Sequence, residues 1–135
     1  MHNRFFKTLE GTRQRHSLPI ETIIDHLAFN EEGLIPVIAQ DESTMEVLML
    51  AWMNKQALQA TLKTKVVTYW SRSRNEIWVK GKTSGNTQWL KSMRIDCDGD
   101  AIICIVKQQG PACHTGRGSC FYLHVDEGST RVTIN

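Results

Sequence analysis

The apolar run AIICIVK at residues 101–107 constrains the fold of this chain more than any other segment. A strand with one face in water alternates apolar and polar residues, whereas a strand covered on both faces is apolar throughout. The run directly follows DCDGD at residues 96–100, and an Asp-Gly pair between strand-like segments is typical of a hairpin turn. The sequence therefore predicts a strand that is covered on both faces and is entered through a tight turn.

The remaining sequence predicts a β-rich α+β fold, a single domain of mostly antiparallel strands with about two helices. Ser17 is a candidate N-cap for a helix through Leu27 with Pro19 in its first turn. Asn54 is a candidate N-cap for a second helix, which carries residues 57–62. Strand-like runs rich in apolar, β-branched and aromatic residues occur at 34–39, 45–50, 66–71, 76–80, 87–96, 101–107, 120–125 and 129–134.

Length and composition indicate one domain in an aqueous compartment. A chain of 135 residues is most simply a single domain, which we expect at residues 17–135 after a polar leader at residues 1–16. The leader lacks the apolar stretch of a secretory signal, and no segment approaches the ~20 apolar residues of a membrane span. With a formal net charge of only +2, no nucleic-acid or membrane partner is required. We expect a soluble cytoplasmic protein.

Three aspartates of DCDGD form a compact set of oxygen ligands: Asp96, Asp98 and Asp100. An EF-hand is excluded, because that loop needs glycine at its sixth position and glutamate at its twelfth. Carboxylates suit Mg²⁺, which often shares its ligands with a substrate phosphate. Residues two apart in an extended chain point the same way, so Cys97 should face away from Asp96 and Asp98. Plain turn chemistry remains the alternative.

The four cysteines all lie in the C-terminal third, and a reducing compartment favours metal binding or chemistry over disulfides. Cys113 and Cys120 are too far apart in sequence for a structural zinc knuckle, but with Cys97 they offer three thiolates and an open fourth position. Cys104 is best interpreted as a small buried hydrophobe. His114 could be a fourth ligand, an acid or base, or a polar loop residue.

The segment at residues 69–88 alternates tryptophans with basic residues. It also contains SRSR at 71–74 and SGN at 84–86, whose side chains can donate hydrogen bonds to a phosphate. An ordinary amphipathic hairpin and a single-strand nucleic-acid binder remain alternatives. A small phosphorylated ligand agrees better with the low net charge, because a few arginines then suffice. The residues of this segment that we select as substrate contacts are Trp70, Arg72, Arg74, Lys80 and Ser84.

Taken together, these segments resemble the phosphoribosyl-AMP cyclohydrolase family of histidine biosynthesis. The matching motifs are AWMN at residues 51–54, YWSRSR at 69–74, IWVKG at 77–81, TSGNTQ at 83–88, DCDGDA at 96–101 and CHTGRGSCF at 113–121. They follow the family's order, and their conjunction is specific although each alone would be weak. The sequence has Asn86 where a histidine is also common in the family, which leaves a catalytic role for that position open.

The resemblance implies hydrolytic opening of the adenine ring between N1 and C6 by zinc-activated water, with magnesium as the second metal. Carried over by position, the zinc ligands are Cys97, Cys113 and Cys120, and the magnesium ligands are Asp96, Asp98 and Asp100. An intertwined homodimer is implied, with Cys97 from one subunit and the other two thiols from its partner. We also expect a monofunctional enzyme without the fused pyrophosphohydrolase domain of many bacteria.

Two further expectations concern chemistry. His114 is our candidate for proton transfer to N1, and Arg72, Arg74 and Lys80 are candidates for phosphate contacts. The alternative function is a structural-zinc module that binds nucleic acid through its Trp/Arg hairpin. A related deaminase is disfavoured because the H-x-E…P-C-x-x-C pattern is absent.

Overall fold

The computed structural model describes residues 4–135, which form three helices and eight strands. The helices are α1 (Arg4–Leu9), α2 (Ile20–His26) and α3 (Lys55–Thr64). The strands are β1 (Ile35–Asp41), β2 (Val47–Met53), β3 (Thr68–Ser71), β4 (Glu76–Val79), β5 (Gln88–Ile95), β6 (Ile102–Gln108), β7 (Leu123–His124) and β8 (Thr133–Ile134). Within this described part, every helix is too short to cross a bilayer.

Six strands form one mixed sheet in the order β4-β3-β2-β1-β6-β5. Every neighbouring pair is antiparallel except β1 and β6, which run parallel. The predicted α+β class with mostly antiparallel strands is therefore confirmed. The strand-like runs predicted at residues 34–39 and 45–50 are also confirmed, and they pair with each other as the antiparallel strands β1 and β2.

The core lies on one face of this sheet. Ile102, Cys104 and Val106 of β6 are at most 1% exposed, and the alternate residues Ile103 and Ile105 are half-buried. The prediction that residues 101–107 are covered on both faces is thus wrong for the single chain, because residues 4–135 leave the second face of β6 partly exposed. We call this second side of the sheet the outer face.

The helices differ from the sequence-based prediction in number and in one boundary. The structure has a third helix, α1, inside the segment predicted as a polar leader, and Phe6 of this helix is buried in the core. Helix α2 begins after Pro19, which is its N-cap residue and makes no side-chain capping bond, so the predicted Ser17 cap is wrong. The Asn54 cap is confirmed, because its Oδ1 accepts a hydrogen bond from the Ala57 N–H at 2.8 Å.

The C-terminal segment forms a separate two-stranded sheet of β7 and β8, shorter than the strands predicted there. Leu123 pairs with Ile134 across this hairpin, so their side chains share one face. Both side chains are more than half exposed. The hairpin therefore presents an apolar face that nothing within the described chain covers.

Candidate active site

The turn between β5 and β6, residues 96–100, brings three carboxylates together. The Gly99 N–H donates to the Asp96 carbonyl at 3.1 Å, and the Asp100 N–H donates to Asp96 Oδ1 at 2.9 Å. Gly99 has φ +68°, a left-handed conformation that favours glycine. This folding places one oxygen each of Asp96, Asp98 and Asp100 within 4.8 Å of one another. The turn and the ligand cluster are therefore the same structure.

Two of these carboxylates share a hydrogen bond that separates their pKa values. The bond with Asp96 raises the pKa of Asp100, because its proton is retained between them. Partial burial opposes the shift at Asp96, but hydrogen bonds from Asp100 and nearby backbone groups outweigh it and lower the pKa of that carboxyl. Without a cation, like charges at this spacing repel, so the donor set fits a hard divalent ion such as Mg²⁺.

Residues 112–120, which we call the thiol loop, place two cysteines side by side. Cys113 is buried, Cys120 is exposed, and neither forms a disulfide. The Thr115 hydroxyl donates to Cys113 Sγ at 3.1 Å. This bond, together with hydrogen bonds from the Thr115 backbone and from Cys120, lowers the pKa of the Cys113 thiol. The pKa of the Cys120 thiol is raised, because that thiol is partly buried and lies beside Cys113. Two adjacent soft thiols, one of them with a lowered pKa, fit a zinc site.

The C-terminal end of the thiol loop is hydrogen-bonded to the beginning of strand β2. The Cys120 N–H donates to the Leu48 carbonyl at 2.7 Å, and the Ser119 hydroxyl donates to the Val47 carbonyl at 2.8 Å. Within the loop, the Cys113 N–H donates to the Arg117 carbonyl at 3.1 Å. These bonds hold both thiols in place against the sheet.

The two thiols open into a cavity of about 820 Å³, which we call the thiol cavity. The predicted site residues that line this cavity are Arg74, Lys80, Ser84, Cys113, His114 and Cys120. They come from the turn between β3 and β4, from the segment that follows β4, and from the thiol loop, which is distant from both in sequence. The tertiary structure thus brings half of the predicted site residues together in one cavity.

Two predicted substrate contacts lie elsewhere. The Arg72 guanidinium lies 4.8 Å from the centre of the Trp52 ring, and Trp70 is the cross-strand partner of Trp52. Trp52 and Asp100 in turn line a separate cavity of about 970 Å³. Arg72 therefore lies against a residue of this second cavity, whereas Trp70 stands between Trp52 and Ile77, which lines the thiol cavity.

Sequence reasoning did not select two residues that line the thiol cavity, Trp78 and Lys82. Trp78 is 38% exposed, although its Tyr69 neighbour across the sheet is fully buried. For Trp78 the available signal was the spacing from Lys80, because residues two apart in an extended chain share a face. Lys82 lies in the turn after β4, where this rule gives no signal.

Cys97 does not join the other two candidate zinc ligands within one chain. It lines a small apolar cavity of about 310 Å³ with Phe6 and Ile95, beside Asp96. Among residues 4–135, the one convergent group of three or more metal-binding side chains is the aspartate cluster. Cys104 is fully buried, as predicted, and burial raises the pKa of its thiol to about 12.

Comparison with known proteins identifies the family. A sequence profile described as phosphoribosyl-AMP cyclohydrolase matches residues 49–122. The chain is 51% identical over 130 residues to the phosphoribosyl-AMP cyclohydrolase of Hydrogenovibrio crunogenus, which covers 96% of this chain and 88% of the relative. Identity to the enzyme of that name from Halorhodospira halophila is 55% over 126 residues, 93% of this chain and 87% of the relative. With the Roseobacter denitrificans enzyme it is 60% over 104 residues, 77% of this chain and 81% of the relative. The chain therefore belongs to the phosphoribosyl-AMP cyclohydrolase family of hydrolases.

Proposed function

We propose that this chain hydrolyses phosphoribosyl-AMP, opening the adenine ring between N1 and C6 in a step of histidine biosynthesis. The observation that carries the proposal is the thiol cavity, where Cys113 and Cys120 lie with Arg74, Ser84 and His114. Soft metal ligands, anion-binding side chains and a proton-transfer group are what hydrolysis of a phosphorylated purine requires. The unpaired cysteines also support a reducing, cytoplasmic location.

Cys113 and Cys120 are proposed to hold zinc together with Cys97 of a second subunit. The support is the adjacency of the two free thiols, the lowered pKa of Cys113 and the separate position of Cys97. Zinc held by three thiolates would lower the pKa of a bound water molecule. That water would then be available as a nucleophile near neutral pH.

His114 is our candidate for proton transfer. Addition of water to C6 breaks the N1–C6 bond, and N1 must then accept a proton. His114 is exposed and lines the thiol cavity, and an imidazole can both donate and accept a proton. Trp78 offers an exposed aromatic surface in the same cavity, against which the purine ring can stack.

The two phosphates of phosphoribosyl-AMP need separate positive partners. Arg74 and Ser84 line the thiol cavity and are both exposed, so their donors are available to one phosphate. The Arg72 guanidinium lies over the Trp52 ring, and Trp70 is the cross-strand neighbour of Trp52. Arg72 is proposed to bind the other phosphate. Magnesium on Asp96, Asp98 and Asp100 would neutralise remaining charge, since Asp100 and Trp52 line one cavity.

A homodimer with a shared site completes this proposal. The outer face of the sheet carries half-buried Ile103 and Ile105 and exposed Leu50. The apolar face of the β7–β8 hairpin is likewise uncovered, and an isolated two-stranded hairpin is marginal in water. Exposed apolar surface of this extent is typical of an interface. A second copy that covers these surfaces and contributes Cys97 accounts for both features.

The direct test is incubation of the purified protein with phosphoribosyl-AMP while the ultraviolet spectrum and product mass are followed. We expect the substrate to gain one water, the activity to disappear with a zinc chelator, and zinc to restore it. A fully zinc- and magnesium-loaded protein that forms no product would overturn the proposal. Release of ammonia would indicate a deaminase, and a salt-sensitive gel shift would indicate a nucleic-acid-binding module.

A further inference from the structure

Lys80 is a buried cation beside the thiol loop. Lys80 is only 7% exposed, and its Nζ donates a hydrogen bond to the Ala112 carbonyl at 2.8 Å. Its backbone N–H donates to the Val67 carbonyl at 3.0 Å, which fixes the other end of the residue in the sheet. Lys80 therefore links the end of β4 to the residue that directly precedes Cys113.

The ionisable groups that face Lys80 are two thiols, those of Cys113 and Cys120, and not carboxylates. Within residues 4–135 the single ion pair joins Lys55 and Asp25, so Lys80 has no carboxylate partner there. Burial lowers the pKa of Lys80, and Cys120 and Cys113 oppose that change. The Trp78 ring centre lies 5.4 Å from Nζ and adds a weak cation–π attraction.

A buried ammonium needs a compensating negative charge, because its desolvation is costly. Three thiolates around a divalent zinc leave one net negative charge. Lys80 lies where it can balance that charge. Although it lines the thiol cavity, its buried Nζ is already bonded to the Ala112 carbonyl, which disfavours it as a phosphate ligand. The exposed side chains of Arg74 and Lys82 line the same cavity and are free to reach a phosphate.

We infer that Lys80 is a positioning residue of the thiol loop, whose ammonium fixes the Ala112 carbonyl and balances the thiolates that hold zinc. This role replaces our sequence-based assignment of Lys80 to the substrate phosphates. It rests on the proposed function, which supplies the zinc site. In this role Lys80 acts through Cys113 and Cys120 and does not touch the substrate.

The test compares Lys80→Met, which removes the charge and keeps most of the length of the side chain, with Lys82→Met, which removes an exposed charge from the same cavity. Zinc affinity is measured by competition with a chromophoric chelator, and the thiolate-to-metal absorption is recorded after cobalt substitution. Steady-state kinetics with phosphoribosyl-AMP give kcat and KM. Circular dichroism of each zinc-free variant monitors the fold.

For Lys80→Met we expect zinc affinity to fall about 10- to 100-fold, the usual effect of losing a residue that orients metal ligands. The cobalt absorption should change, and kcat should fall while KM stays near the wild-type value. Lys82→Met should keep the wild-type zinc affinity and cobalt spectrum. If Lys80→Met does not fold, Lys80→Arg keeps the charge with different donor geometry, and its zinc affinity should lie below the wild-type value.

Wild-type zinc affinity in folded Lys80→Met together with a raised KM would overturn the inference and return Lys80 to the phosphate ligands. Wild-type zinc affinity in Lys80→Arg, where only that variant folds, would also count against it. A wild-type protein that binds no zinc would instead refute the proposed function itself. The two failures are therefore distinguishable.

Discussion

The ring of Phe6 occupies the space that a side chain at position 99 would need. A Cβ built on Gly99 would overlap the Phe6 ring, and Gly99 already has the left-handed φ of +68°. The Gly99 carbonyl also accepts a hydrogen bond from the Ala28 N–H at 2.8 Å. Helix α1 and the segment after α2 therefore support the turn that carries the three aspartates.

Replacement of Gly99 by alanine should loosen the acidic turn. The positive φ costs about 1–2 kcal/mol in a residue with a Cβ, and overpacking against Phe6 adds about 1–3 kcal/mol. We expect a lower midpoint of thermal unfolding and a higher magnesium concentration for half-maximal activity. The matched control is Gly33→Ala, because Gly33 has φ +76° and no atom within 4 Å of a built Cβ. Equal losses in the two variants would show that Phe6 does not support the turn.

Mixing two inactive variants tests the proposal that the zinc site is shared between subunits. Cys97→Ser and Cys113→Ser should each abolish zinc-dependent turnover. When equal amounts are refolded together, half of the dimers combine both chains and keep one of two sites, so activity should return to about a quarter of the wild-type value. A mixture of Cys113→Ser and Cys120→Ser should stay inactive, because both thiols come from the same subunit. No recovery in the first mixture would contradict a site built across subunits.

Cys104 should make the protein less stable at alkaline pH. Burial raises the pKa of its thiol from 9.0 to about 12, so the folded chain holds this proton where the unfolded chain has lost it. The free energy of unfolding therefore falls as the pH rises, and the contribution present below pH 9.0 is lost on approach to pH 12. Denaturant unfolding across this range should give a steeper loss in wild type than in Cys104→Ala. Parallel pH profiles would exclude this contribution.

The hydroxyl of Tyr69 should stabilise the core through Gln88. It donates to Gln88 Oε1 at 2.7 Å, and both residues are fully buried. Tyr69→Phe leaves the amide oxygen without this donor, which should lower the free energy of unfolding by about 1–3 kcal/mol. The same change in a Gln88→Leu background removes no partner and should cost much less in urea unfolding. An equal loss in both backgrounds would assign the effect to packing.

Features that depend on neighbouring residues were predictable from the sequence. The Asn54 cap, the Asp98-Gly99 turn and the strands β1 to β6 follow from local hydrogen bonds, conformational preference and apolar runs. The convergence of the three aspartates was predictable for the same reason, because all three lie within one turn. Helix α1 was missed because its six residues offer little periodicity, and tertiary packing of Phe6 stabilises it.

Features that join distant segments were decided by the tertiary structure alone. An apolar strand pattern does not name its partner, so the parallel pairing of β1 with β6 could not be predicted from it. The contact between Lys80 and Ala112 spans 32 residues and depends on how the sheet edge meets the thiol loop. The candidate metal and phosphate ligands could be selected from the sequence, because ligand chemistry is a property of each side chain. Their assembly around one cavity, and the separation of Cys97 from the other thiols, depend on long-range packing.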